Sequence, residues 1–574
     1  MVRGSAGRGG AFLKNYWKPI AALALITVVG VVAFIQVPVM KATSEFESFL
    51  AQHEAQVRPL VKEQAMAYVN ATVSGNEEDY QRVSELTLEV NKIYSNPEEF
   101  GMLKAWKEGN RIKDPLLKRQ LDLLYLYYLG NQIDEEKLEE MIKQQTSIEQ
   151  ALNTYRVEVN GKKLTDNEVR EILKTSTDNQ ELEQVWEASK MIGKLVAPDL
   201  VKLVKLRNEA AKELGFNNFH QMQLSLSEQN PDEIEALFDE LDELTRDAFA
   251  QEKQEMDAIL AQRYTVAPEN LMPWHYQNPF FQEAPQLFEV GLDKIYADQD
   301  PVELTRDYYA GLGMPVDDLI AKSDLYEKPG KYQHAYCIDI DREGDVRVVA
   351  NAKPNAHWVG TLLHEYGHAA YFKYTDRDLP WLLRYPAHTF TTEAIAMMFE
   401  SMNSDPVWIH EMVGTPEEDA NRIGEACKRY TVMNTLVFSR WVQVMYRFEK
   451  SLYENPDQDL NKLWWDLVEE YQMLKRPEGG DRADWASKIH IASAPAYYHN
   501  YLLGNLLASQ FKHYIDTKVL ETDSPAYIGQ TMVGEYLKNK VFAPGMRYHW
   551  SEMIERATGE KLTPKYYAEQ YLNK

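Results

Sequence analysis

Cysteine is nearly absent: the chain has two in 574 residues, Cys337 and Cys427. They could pair, but one bond does not make a disulfide scaffold, and two buried thiols are the simpler expectation. Excess positive charge is missing too. The formal charge is −26, and no basic block could neutralise a run of phosphates, which excludes a nucleic-acid partner. Strand signals are confined to one stretch, and no fixed-period repeat marks a solenoid. What remains is helix.

Long hydrophobic runs are also scarce. The one that stands out extends from Ile20 to Met40, broken only by Gly30, Gln36 and Pro38, behind Arg3, Arg8, Lys14 and Lys18. About 20 apolar residues cross a bilayer, whereas a secretory core is usually about 7–15 long. The expectation is a basic segment over 1–18 and a transmembrane signal anchor over 19–40, with a cleaved signal peptide as the alternative. Either places a single body, residues 41–574, outside the cytoplasm.

From Lys41 to about Ala261 nearly every segment has helical periodicity. Phe46, Phe49, Leu50 and His53 open one long helix, and stretches near 76–93, 113–129, 132–153, 165–176 and 180–213 follow. Their charges read as solvated faces. Tyr264 to Pro285 is rich in proline and aromatics, either a packed connection or a wall of a substrate groove. Ala335–Ile340 and Val346–Ala350 form a hairpin turning at Gly344, whose edge could pair with an extended peptide. Helices resume near 405–413, 416–453, 458–473, 502–511, 524–540, 547–557 and 563–572.

The chemistry centres on His364-Glu-Tyr-Gly-His368. Two histidines four apart share one helix face and can grip one Zn²⁺, while Glu365 is placed to take a proton from water. The metzincin extension is excluded, because Tyr371 and Tyr374 stand where its Gly and His belong. Glu393, in a second buried helix over 391–400, is the preferred third ligand, since a helix fixes it well. His388 and His357 are the rivals.

Lys488, His490, Tyr497, Tyr498, His499 and Tyr501 fall within fourteen residues. They are either core aromatics with a surface lysine or donors for a tetrahedral oxyanion.

Together these residues resemble the angiotensin-converting enzyme (peptidyl-dipeptidase A) family. The landmarks are Leu325-Tyr-Glu-Lys-Pro329, His334-Ala-Tyr-Cys337, the zinc motif, Asp378-Leu-Pro380, Glu393-Ala-Ile395, Trp464-Trp465, Lys488-Ile-His-Ile491 and Tyr501. The resemblance implies a mainly α, two-lobed helical zincin with a deep central groove and a small hairpin beside the zinc helix. It implies Zn²⁺ on His364, His368 and Glu393, with Glu365 as base and then acid. Tyr501 and His490 become transition-state donors. Lys488 and Tyr498, with Gln277 as a third, hold the substrate's terminal carboxylate, and His334 and the backbone of Ala335 bind the peptide main chain. Short peptides would lose C-terminal dipeptides.

Several positions depart from the family. Asn500 and Val468 replace arginines of its chloride sites, which argues against chloride activation. Met397 replaces an Asp that partners a zinc histidine, a role Glu400 could take. The His490–Tyr501 interval is one residue longer, which leaves Tyr497 as an alternative to Tyr498. The His368–Glu393 interval is also one longer and resembles the thimet oligopeptidase/oligoendopeptidase family, whose members cut internal bonds. An endo-oligopeptidase is therefore the alternative, and an inactive membrane-bound peptide receptor the third reading.

Overall fold

Many helices in this chain start where an Asn, Asp or Thr accepts a hydrogen bond from the exposed N–H groups of a first turn. Asp114 caps Pro115–Gly130, Asp178 caps Asn179–Glu213 and Asn230 caps Pro231–Tyr264. Thr165 and Glu168 form a reciprocal capping box at the start of Asp166–Thr175. The computed structural model describes residues 17–479, 482–522 and 526–572, with side chains from residue 39 onward. It is 71% helical, with two small two-stranded sheets among the described residues, so the mainly α expectation holds. The anchor expected over 19–40 lies, except for Val39 and Met40, outside the residues whose side chains are described. Among the described residues no helix is long and apolar enough to cross a membrane.

The first helix, Trp17–Ser74, lies across the hairpin made by Tyr336–Asp339 and Val346–Val349. Ala65 and Val69 pack on Ile340 and Val349, and the Tyr332 N–H donates to the Thr72 carbonyl at 2.8 Å. Further back, Phe46, Phe49 and Leu50 join a small core with Leu103, Tyr128 and Leu383. Most other apolar side chains form one large core. Cys337 and Cys427 are both free thiols.

Three helices meet at the motif. The first is Ala356–Tyr374, capped by Asn355 and buried along Val359, Leu362, Leu363, Ala369 and Ala370. The second, Thr389–Glu400, starts two residues before the expected 391 because the His388 ring accepts the N–H of Phe390. The third, His499–Tyr514, carries Tyr501. Glycines set the spacing: a Cβ on Gly367 would stand 3.0 Å from the Ala396 Cα, and one on Gly504 3.3 Å from the Glu393 Cβ. The motif's Gly thus lets the helix that bears Glu393 approach the histidines.

Candidate metal centre

The helix pair brings three donor atoms together. His364 Nε2 is 3.2 Å from His368 Nε2, and Glu393 Oε2 lies 3.5 Å and 3.9 Å from those two nitrogens. Ligand atoms about 2.05 Å from a tetrahedral ion stand roughly 3.3 Å apart, so the triangle fits a Zn²⁺-sized ion with one position open. It is the one such group among the described residues. The rivals lie elsewhere. His388 caps its helix and turns Nε2 to the Ser227 carbonyl, 3.0 Å away, while His357 is exposed with its ring against Trp358.

The far nitrogens of the two histidines fix their orientation. His364 Nδ1 lies 2.9 Å from Glu400 Oε2, and His368 Nδ1 lies 2.7 Å from Thr392 Oγ1. A proton on each Nδ1 leaves both Nε2 lone pairs turned inward beside a carboxylate, an arrangement that calls for a cation. In a metal-free site that cation is a proton. Burial opposes charge on His364, but Glu400, Glu365 and Glu393 outweigh it and raise its pKa to about 9. Burial and the His364 charge push His368 down to about 3. A divalent ion would take the place of that shared proton.

Glu365 lies against the edge strand, within the field of His364 and Glu393. Only 8% exposed, it receives the Cys337 backbone N–H. Burial raises its pKa to about 7; the His364 charge opposes the shift, and Glu393 and Glu400 reinforce it. A carboxylate poised near neutrality suits proton transfer in either direction.

The 488–501 segment supplies the next set of groups. Lys488 is 7% exposed, and its Nζ sits 5.1–5.3 Å from the ring centres of Phe280, Trp441 and Tyr498. It donates to Gln282 Oε1 at 2.6 Å and has no carboxylate partner among the described residues. Burial lowers its pKa to about 7. The His490 ring packs on Tyr498 with centroids 5.0 Å apart, and its buried Nδ1 has no hydrogen-bond partner among the described residues. Tyr498 also meets Tyr501 at 5.4 Å. The neighbouring phenols diverge: Tyr498 stands over Lys488, whereas Tyr497 turns to Tyr501 and the field of Glu393.

Gln277, the third residue of the expected clamp, is held locally. Its backbone is left-handed, with φ 62°, and its Oε1 accepts the Gln286 N–H at 2.8 Å. The glutamine that reaches Lys488 is Gln282, which the sequence reading missed. The Pro-rich crossing is packed: Trp274, Tyr276 and Phe281 are core residues, and Phe280 lies against Lys488. His334 is exposed against the Tyr332 ring, and Ala335 is half-buried just before the edge strand Tyr336–Asp339. That strand pairs only with Val346–Val349 among the described residues, which leaves its other edge unpaired. Buried Asn500 accepts from Gln229 Nε2 at 2.7 Å, and Val468 lies in the core.

Known proteins match this chain over nearly its whole length. The family model described as angiotensin-converting enzyme matches residues 40–276 and 287–570. An angiotensin-converting enzyme of Theromyzon tessulatum is 21% identical over 507 residues, which is 80% of each chain. The match spans the hairpin, both motif helices and the Tyr501 helix. The chain belongs to the angiotensin-converting enzyme family, whose members are metallopeptidases.

Proposed function

We propose that the protein is a zinc peptidyl-dipeptidase that releases C-terminal dipeptides from short, unfolded peptides. The observation that carries this reading is Lys488, an amine enclosed by three aromatic rings and Gln282 with no carboxylate bonded to it among the described residues. A buried cation of that kind calls for an anion. The carboxylate at the end of a peptide is the anion every such substrate brings.

Zn²⁺ on His364, His368 and Glu393 would supply Lewis acidity toward a water and the scissile carbonyl. Glu365 takes the proton of the attacking water and passes it to the leaving nitrogen. Tyr501 and His490 donate to the carbonyl oxygen as it gains charge; burial lowers the His490 pKa to about 4, so it acts as a neutral donor. His334 and Ala335 hold the peptide main chain along the open strand edge. Lys488, with Tyr498 and Gln282, sets the register by fixing the peptide's end at a constant distance from the ion. The basic and apolar run at the N-terminus supports a membrane-anchored location with the catalytic body outside the cytoplasm.

The test is a panel of free-acid and C-terminally amidated peptides given to the zinc-loaded protein, with products read by mass. Successive dipeptide losses, blocked by amidation and by Glu365→Gln, are expected. Internal cuts indifferent to amidation would make it an endo-oligopeptidase instead. Zinc binding without any cleavage would leave a peptide receptor.

A further inference from the structure

His490 sits on unusually irregular chain that leads into the helix bearing Tyr501. A short turn, Asp484–Ser487, precedes Lys488, and a single helical turn, His490–Ser493, follows. Then come Pro495 and Ala496, the latter left-handed with φ 54°. No strand ladder or long helix fixes this path until His499, so its buried backbone groups need partners from elsewhere.

Two buried polar side chains from two long helices provide them. Arg207, on Asn179–Glu213 and 2% exposed, donates to the Ala492 carbonyl at 2.7 Å and the Ile491 carbonyl at 3.3 Å. Its remaining hydrogen bonds go to Tyr453 Oη at 3.0 Å and Gln145 Oε1 at 2.9 Å, which lock the guanidinium in place. Glu449, on Glu417–Glu454 and 2% exposed, accepts the Ala496 N–H at 2.9 Å. Both holds fall between His490 and Tyr501.

We propose that Arg207 and Glu449 are positioning residues that fix the 491–496 backbone so that His490 and Tyr501 face the reacting carbonyl. The inference rests on the proposed peptidase reading. Lys488 lies before the bracket and is held by its own turn, its aromatic cage and Gln282. Loosening the bracket therefore displaces the donors and spares Lys488, the charged member of the carboxylate clamp. A donor displaced by about 1 Å costs roughly 100-fold in rate.

The experiment compares full-length wild type, Glu449→Leu, Arg207→Met and Glu449→Gln for kcat, KM, zinc content and melting temperature. Glu449→Leu and Arg207→Met are expected to lower kcat by roughly 100-fold, with KM within about twofold and zinc stoichiometry intact. Glu449→Gln still accepts the Ala496 N–H and is expected to restore most of kcat. If Arg207→Met does not fold, Glu449→Leu, which loses a single hydrogen bond, decides. A folded, zinc-loaded Glu449→Leu with wild-type kcat overturns the inference. So does a loss of activity that only tracks the folded fraction. A wild type without peptidase turnover removes the function and this inference together, whereas active wild type beside fully active variants removes the inference alone.

Discussion

Glu400 Oε2 lies 2.9 Å from His364 Nδ1, and that pairing decides which histidine nitrogen is free for a metal. The family places an Asp nearly one turn earlier, where this chain has Met397. Residues 397 and 400 share a helix face, so a longer side chain from the later position reaches the same ring. Glu400→Ala should therefore weaken zinc affinity by about 10–100-fold, as outer-shell losses generally do. Glu400→Gln, which keeps an acceptor without the charge, should fall between. Competition with a zinc chelator measures both, and an unchanged affinity would remove Glu400 from the site.

Lys488 gives the pH dependence its sign. Burial holds its pKa at about 7, so the free enzyme loses the ammonium as pH rises through neutrality. Only the ammonium pairs with a terminal carboxylate. KM for free-acid peptides should thus climb about tenfold per unit above pH 7, while any residual cleavage of amidated peptides lacks that limb. Lys488→Met should raise KM by roughly 30-fold or more at pH 6.5 and flatten the alkaline limb. A KM that stays constant from pH 6 to 9 would contradict the assignment.

Gly367 separates the two motif histidines from the glutamate helix by the width of a backbone. A methyl there would meet the Ala396 Cα at 3.0 Å and its N at 3.3 Å, neither of which can swing aside. Gly367→Ala should cost about 1–3 kcal/mol through overpacking and widen the donor triangle. The expected signature is lower zinc affinity together with a lower melting temperature. Loss of stability alone would mean that the helices part without disturbing Glu393.

The donor triangle was legible because its spacing is helical: a step of four from one histidine to the next, then a loop and a buried helix that returns. The bounds of most helices were legible too, from caps and periodicity, and the hairpin from its alternation around Gly344. What escaped lacks a period. The helix Pro97–Gly109 was passed over although Asn96 caps it. The strands Val157–Val159 and Lys162–Leu164 are too short to alternate, despite Asn160 and Gly161 at their turn. The contact of Gln282 with Lys488 follows left-handed backbone at Gln277 and Phe281, which no pattern of side chains announces. Arg207 looks like one of the solvated charges of a long helix and no motif singles out Glu449, so only tertiary packing shows each 2% exposed.

That burial has a thermodynamic consequence separate from catalysis. Enclosure raises the Glu449 pKa to about 8; the Ala496 N–H and the Arg207 charge oppose it but do not cancel it. An unfolded chain releases the same proton near pH 4.3. Between these values the folded protein carries a proton that the unfolded chain lacks, so this group's contribution to stability falls as pH rises. The slope for one group is up to about 1.4 kcal/mol per pH unit, from roughly pH 5 to 8. Other carboxylates tilt the total curve, so the informative quantity is the difference between wild type and Glu449→Gln. Denaturant unfolding at pH 5.5, 6.5 and 7.5 should show the variant gaining on wild type at each step. Parallel curves would mean that Glu449 is ionised inside the protein, with Arg207 as its counter-ion.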